Sequence, residues 1–231
     1  MFFFQIVTYF LEVELELALF DDAAEKFRKV LDEEDEMSVQ HVAAYGHGIA
    51  LLSIAQRHYQ DGKAGAALES IKLAASSCMR SGNFACTQKL LGDLYSFASV
   101  LPPAIFRNAS LDDQGNLAGC IEEKLNFVSR GEEAYRSALK SHEPDEQMAM
   151  KGSFLCDIAS NILLQAQIMS TLSEGDSEDT DINNRYDKAA MEFHNAIVSN
   201  PLYAPSWCGL GCAVVRKDPL LAQRKSSCHC F

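Results

Sequence analysis

The chain has 231 residues, is 48% hydrophobic and carries a formal net charge of −12 at pH 7. It is long enough to bury a core, as one globular domain or as a stack of repeats, and too apolar for a disordered tail. The acidic balance repels phosphate backbones, so no direct nucleic-acid binding is expected; the best-placed basic cluster is only Arg216, Lys217, Arg224 and Lys225.

The opening MFFFQIVTYFLEVELEL has the length of a signal peptide but lacks a basic start and a small-residue cleavage site, and Glu12, Glu14 and Glu16 follow at once. It is too short to span a bilayer, so it reads as the apolar part of a first helix, and no membrane partner is expected. After Asp21-Asp22, the residues Ala23, Ala24, Phe27 and Val30 share one helical face. The acidic run Asp32 to Glu36, which opens the insert DEEDEMSVQHV, reads as a solvated connector, since carboxylates at a helix end oppose its dipole. It has neither the spacing nor the glycine of a calcium loop.

Leu51, Leu52, Ala55 and Tyr59 form a second face before Asp61-Gly62-Lys63, and Ala67, Ile71 and Ala74 resume after it. The unit is helix, short turn, helix. Leu91, Gly92 and Tyr95 look like another first helix, and Gly131, Tyr135 and Ala138 like its second, with Pro144 beyond. Between them lies SVLPPAIFRNASLDDQGNLAGC, whose glycosylation-type sequon at Asn108 reads as polar loop. SEGDSEDTDINN reads as a disordered insert in which Ser173 and Ser177 sit before acids, a context that suits acidophilic kinases. No alternating strand pattern persists, so the fold class expected is all-α.

The clearest segment is YDKAAMEFHNAIVSNPLYAPSWCGLG, Tyr186 to Gly211. Two helices approach closely only where small residues face each other, so Ala189 and Ala196 permit contact while Phe193 fills the hollow between them. Pro201 stops the helix. Trp207, Leu210 and Gly211 then open the next one as a knob, a filler and a glycine against which a neighbouring side chain can sit. This order resembles the tetratricopeptide repeat, an αα-hairpin with a period of about 34 residues. The bulky second-helix position recurs at Phe27, Ile71, Tyr135 and Phe193, at intervals longer than that norm. The excess is expected to loop out of the stack at the three inserts, as candidate binding elements.

The eight cysteines show no CxxC and no two ligand pairs with zinc-finger spacing: Cys78, Cys86, Cys120 and Cys156 are scattered, Cys208 and Cys212 are four apart, and Cys228-His229-Cys230 ends the chain. Free thiols in a reducing compartment are the expectation. Phosphate-loop, nucleophile-elbow, zinc-protease and dinucleotide motifs are absent from the sequence. His47 and His58 sit on helical segments with no cysteine near in sequence. No catalytic, cofactor-binding or metal-ligating residue is therefore named, and no enzyme is expected.

From about Phe10 to Gln223 the text resembles the tetratricopeptide-repeat scaffold subunits of superkiller complexes, including FDDAAEKFRKVLDEEDEMSVQHVAAYGHGIALLSIAQRHYQDGKAGAALESIKLAASSC and YDKAAMEFHNAIVSNPLYAPSWCGLGCAVV. The resemblance implies a cytoplasmic and partly nuclear protein-interaction scaffold. It would hold a DExH-box RNA helicase and WD-repeat subunits, and serve the RNA exosome indirectly in 3′-to-5′ mRNA decay. It implies no catalytic residue and no cofactor. Residues 1–223 are then a repeat solenoid of about four repeats plus the first helix of a fifth. Residues 224–231, RKSSCHCF, depart from the pattern, as in a fragment or an alternatively terminated form. The alternative is a generic peptide-binding adaptor not tied to RNA decay. Against its best-known form, a carboxylate clamp, the comparable positions hold Leu52 and Gln56, then Cys208 and Cys212. A thiol enzyme is a third class, and inner-face positions such as Gln56 and Asp93 are expected at the surface.

Overall fold

The computed structural model describes residues 19–33, 36–106, 117–141, 148–171 and 180–217. Among these the regular structure is helical throughout, without a strand, which is the all-α class expected. The helices are α1 (Phe20–Glu33), α2 (Met37–Gln60), α3 (Ala64–Arg80), α4 (Ala85–Phe97), α5 (Leu117–Lys140), α6 (Met148–Ser170), α7 (Thr180–Ser199) and α8 (Ala204–Lys217). The apolar start, Asn108, Pro144, Ser173, Ser177 and the segment Arg224 to Phe231 lie outside the described residues.

Local chemistry sets the helix ends. Asp21 and Asp22 occupy the first turn of α1, where negative charge complements the exposed amides. Ala23, Ala24, Phe27 and Leu31 are its buried stripe. Val30, placed on that stripe by spacing, is only half-buried, because Leu31 takes the position one turn beyond Phe27. α2 stops where Gly62 adopts φ 74 and the Lys63 amide donates to the His58 carbonyl at 2.8 Å, a glycine-capped ending that folds α3 back along α2. α7 ends before Pro201, and the indole of Trp207 donates to the Pro201 carbonyl at 2.8 Å, pinning the turn into α8.

Each helix packs on the next in the chain, α2 also touches α4, and α6 also touches α8. Lys89–Asp157 and Asn161–Ser96 bonds join α4 to α6. α2, α4, α6 and α8 thus form one row. In the other row, Arg80 of α3 donates to the Leu31 carbonyl of α1 at 3.0 Å, and Arg136 of α5 donates to Glu192 of α7 at 2.9 Å. Two buried apolar clusters meet at α5 and α6, one running from Ala23 to Ile168 and the other from Tyr135 to Ala213. α2 is covered by α1, α3 and α4, which is why its apolar residues surround so much of its circumference.

Three details differ from the sequence-based expectation, each for a physical reason. A Cβ on Gly46 would overlap the Phe27 ring, and one on Gly209 would overlap the Phe193 ring, so both second-row aromatics reach forward into the next helix. The glycine that serves α8 is therefore Gly209; Gly211 has open space around it. Tyr135, aligned by spacing with Phe27 and Phe193, reaches back to Gly92 on α4 instead, where its buried hydroxyl finds Asp93. The third concerns the inserts, since residues 37–42 of the acidic one belong to α2 and residues 180–184 of the last belong to α7, and the longest one packs as well. Its LPPAIF portion does not loop out: two 3-10 turns at Ala98–Val100 and Pro103–Phe106 bury Leu101 and Phe106, and the buried Lys124 ammonium donates to the Leu101 carbonyl at 2.7 Å.

Candidate interaction surface

The row of α2, α4, α6 and α8 carries a polar seam at its centre. Lys89 on α4 places its ammonium 3.1 Å from Asp93 Oδ2, one turn along its own helix, and 3.4 Å from Asp157 Oδ2 on α6. The Tyr135 hydroxyl donates to Asp93 Oδ1 at 2.7 Å. One ammonium is thus shared by two carboxylates from neighbouring helices, and a third helix supplies the phenol that completes Asp93.

The electrostatics follow from that count. Burial works against the charge on Lys89, yet Asp157 and Asp93 together outweigh it and hold the ammonium pKa above its ordinary value. Burial raises the Asp157 carboxyl despite Lys89, and Asp93 adds to the rise, since the shared ammonium compensates two negative charges incompletely. Burial, then the charge on Asp93, pushes Tyr135 far up, so its proton stays on and the phenol remains a donor. Tyr45 on α2 and Tyr203 at the start of α8 border the seam. Burial raises both most; Asp93 adds to the rise at Tyr45 and Asp157 at Tyr203, while Lys89 opposes it at each.

Beneath the seam runs a line of amides. Asn161, fully buried, donates to Ser96 Oγ at 2.8 Å and to the Val128 carbonyl at 3.1 Å. Gln165, one turn on, donates to Asn161 Oδ1 at 2.8 Å and to Glu132 at 3.3 Å, and accepts from Arg185. Glu132 accepts from Lys188 at 2.7 Å and from Arg136 at 3.0 Å. Burial works against the Glu132 charge, but the two cations win and lower its pKa. A satisfied network of this kind fixes how α4, α5, α6 and α7 register on one another.

Spacing alone placed Asp93 at the surface; it is half-buried in the seam, whereas Gln56 is exposed and Leu52 packs partly against the core. Lys89, Asp157 and Asn161 were not singled out from the sequence, and Tyr135 was placed there only as a bulky packing position. The signal available was Asn161 and Gln165, two amides four apart inside the apolar run CDIASNILLQAQIM. Cys208 and Cys212 are both exposed on α8.

Other chemistry-bearing groups sit elsewhere. His47 Nδ1 lies 2.8 Å from Ser77 Oγ, but both are buried and burial lowers the imidazole to about 4, so it is neutral. Burial pushes the Cys78 thiol up to about 12 and raises Cys156, the reverse of what an activated nucleophile needs. No three His, Cys, Asp or Glu side chains gather into a metal-holding group among the described residues. No described helix is long and apolar enough to cross a membrane. An open hollow of about 440 Å³ lies between Met79, Tyr95, Arg130 and Ser137, on the side of α3, α4 and α5. No family model and no curated protein matches the chain.

Proposed function

We propose that the chain is a protein-interaction scaffold, an array of tetratricopeptide-like αα-hairpins whose first-helix row presents the Tyr45–Lys89–Asp157–Tyr203 surface to a partner. The observation carrying this reading is the row in which α2 touches α4, Lys89–Asp157 and Asn161–Ser96 bonds join α4 to α6, and α6 touches α8, with Phe27 and Phe193 seated on glycines of the following helix. A row of stacked hairpins offers a continuous surface without needing a deep pocket. Half-buried charges fixed by neighbours suit recognition, because they are already oriented before a partner arrives.

The sequence resemblance supports a specific setting. The chain acts in the cytoplasm and nucleus beside a DExH-box RNA helicase and WD-repeat subunits, and through them supports exosome-mediated 3′-to-5′ mRNA decay. It contacts RNA only indirectly, as the net charge of −12 favours. The test is affinity capture with the purified full chain as bait against purified superkiller helicase and WD-repeat subunits. Retention of either, weakened by Lys89→Glu, supports the assignment. If neither is retained, the chain is at most a generic repeat adaptor.

A further inference from the structure

The first-helix row carries few charges, so those it does carry decide what it can hold. On α2, α4, α6 and α8 before Arg216, the Lys, Arg, Asp and Glu side chains are Arg57, Lys89, Asp93, Lys151 and Asp157. Arg57 bonds Asp21 of α1 at 2.6 Å, and Lys151 lines a hollow with Asn195 and Val198 of α7, so both serve the other row. What remains is two carboxylates for one ammonium. Asp93 is fully engaged: Lys89 reaches its two oxygens at 3.2 and 3.1 Å, and the Tyr135 hydroxyl donates to Oδ1 at 2.7 Å. Asp157 is not. Its side chain is only 25% exposed, yet Lys89, 3.4 Å from Oδ2, is its one ion-pair partner, and Oδ1 has no donor among the described residues. Burial accordingly holds this carboxyl above its ordinary value despite Lys89, and the Asp93 charge adds to the rise.

A half-matched carboxylate on an otherwise neutral docking face calls for a cation from the partner. We propose that the first-helix row binds an extended peptide segment of the partner, and that an arginine midway along this segment donates to Asp157 while its guanidinium plane lies against the phenol of Tyr203. The inference rests on the scaffold reading above and names what that row would hold. Tyr203 feels the charge of Asp157 and Tyr45 that of Asp93, which puts one ring on each side of the seam. Tyr45 is 38% exposed and Tyr203 half-buried, so each keeps a free face. Arginine fits this frame better than lysine. Its fork matches a carboxylate with two parallel bonds and its flat face stacks on aromatic rings, whereas a second ammonium would compete with Lys89 for the same oxygens. Lys89 itself stays in place as the ion that orients both carboxylates. Packed helix axes lie about 8–10 Å apart, so the path from Tyr45 on α2 to Tyr203 on α8 is about 25–30 Å, the reach of about eight or nine extended residues with the seam midway.

The experiment selects a phage-displayed library of random peptides about nine residues long on the immobilised full chain, then measures the synthesised winners by fluorescence anisotropy. Arginine is expected near the centre of the winning sequences. Citrulline in its place, which keeps the shape and removes the charge, is expected to weaken binding about tenfold, a comparison made on the unaltered chain. Asp157→Asn, with circular dichroism checking that it stays helical, should weaken the arginine peptide to the level of the citrulline peptide and leave the citrulline peptide unchanged. Added salt should weaken the arginine peptide alone. Arginine-bearing winners that bind Asp157→Asn as tightly as the unaltered chain overturn the proposal. Winners without arginine that are lost in Tyr45→Ala/Tyr203→Ala also overturn it, but leave the first-helix row standing as a docking surface. Winners indifferent to all three substitutions, or no winners, overturn both the arginine assignment and the row as a peptide-docking surface.

Discussion

The ring of Phe27 occupies the place a side chain on Gly46 would need, and that contact joins α1 to α2. Phe193 and Gly209 repeat it between α7 and α8, near the far end of the described chain. Shape complementarity of this kind leaves no room for one added carbon.

Gly46→Ala and Gly209→Ala are therefore expected to destabilise the fold by about 1–3 kcal/mol each, through overpacking against a fully committed ring. Gly211→Ala, with nothing near it, is expected to be neutral or to stabilise by about 0.5–1 kcal/mol through helix propensity. Urea midpoints of the three variants read the contrast.

His47 makes stability depend on pH. Burial lowers its folded pKa to about 4 from an ordinary 6.5, with Arg28 and Arg80 also opposing its charge and Asp32 and Glu25 favouring it. Unfolded chains take up a proton below about 6.5 while the folded chain resists until about 4, so stability is complete above that window and is lost as the pH falls through it. The loss is on the order of 3 kcal/mol, and His47→Gln should flatten it in urea midpoints measured across the window.

Lys89→Met leaves Asp93 and Asp157 facing each other without their shared cation. A destabilisation of about 1–2 kcal/mol near neutral pH is expected, discounted for partial exposure. Burial already raises the Asp157 carboxyl above its ordinary 3.8, so the folded variant takes a proton sooner than the unfolded chain as the pH falls. The deficit relative to wild type should shrink toward acid; a deficit independent of pH would place the ammonium's role in packing alone.

Tyr135→Phe removes the donor to Asp93 but keeps the ring against Gly92, so a loss of about 1 kcal/mol is expected. Asn161→Ala strips bonds to Ser96, Val128 and Gln165 from a fully buried site, and should cost about 2–3 kcal/mol. Thermal unfolding of the two variants separates the phenol's bond from the amide's.

The helical class, the helix-turn-helix unit around Gly62 and the small-large-small face of Ala189, Phe193 and Ala196 were legible because each depends on neighbours three or four residues away. Tyr135 was not. Its spacing matches Phe193, but its hydroxyl bonds Asp93, 42 residues earlier, and its ring lies against Gly92 on the preceding helix. The burial of Leu101 and Phe106 was missed for a similar reason: two prolines beside a polar stretch read as loop, while Lys124, which bonds the Leu101 carbonyl, lies 23 residues on, and Phe127, which meets the Phe106 ring, is on the same later helix. The Lys89 bridge was illegible because its second carboxylate, Asp157, is on another hairpin.

Under the proposed function, partners are expected to bind along the first-helix row. A photo-reactive benzoyl-phenylalanine placed at Tyr45 or Tyr203, on that row, is compared with one at Leu73 or Met191, exposed on α3 and α7 of the other row. In cells expressing the full chain, the first pair is expected to capture helicase or WD-repeat protein, with little capture from the second. Capture confined to Leu73 and Met191, or none from any position, would contradict the account.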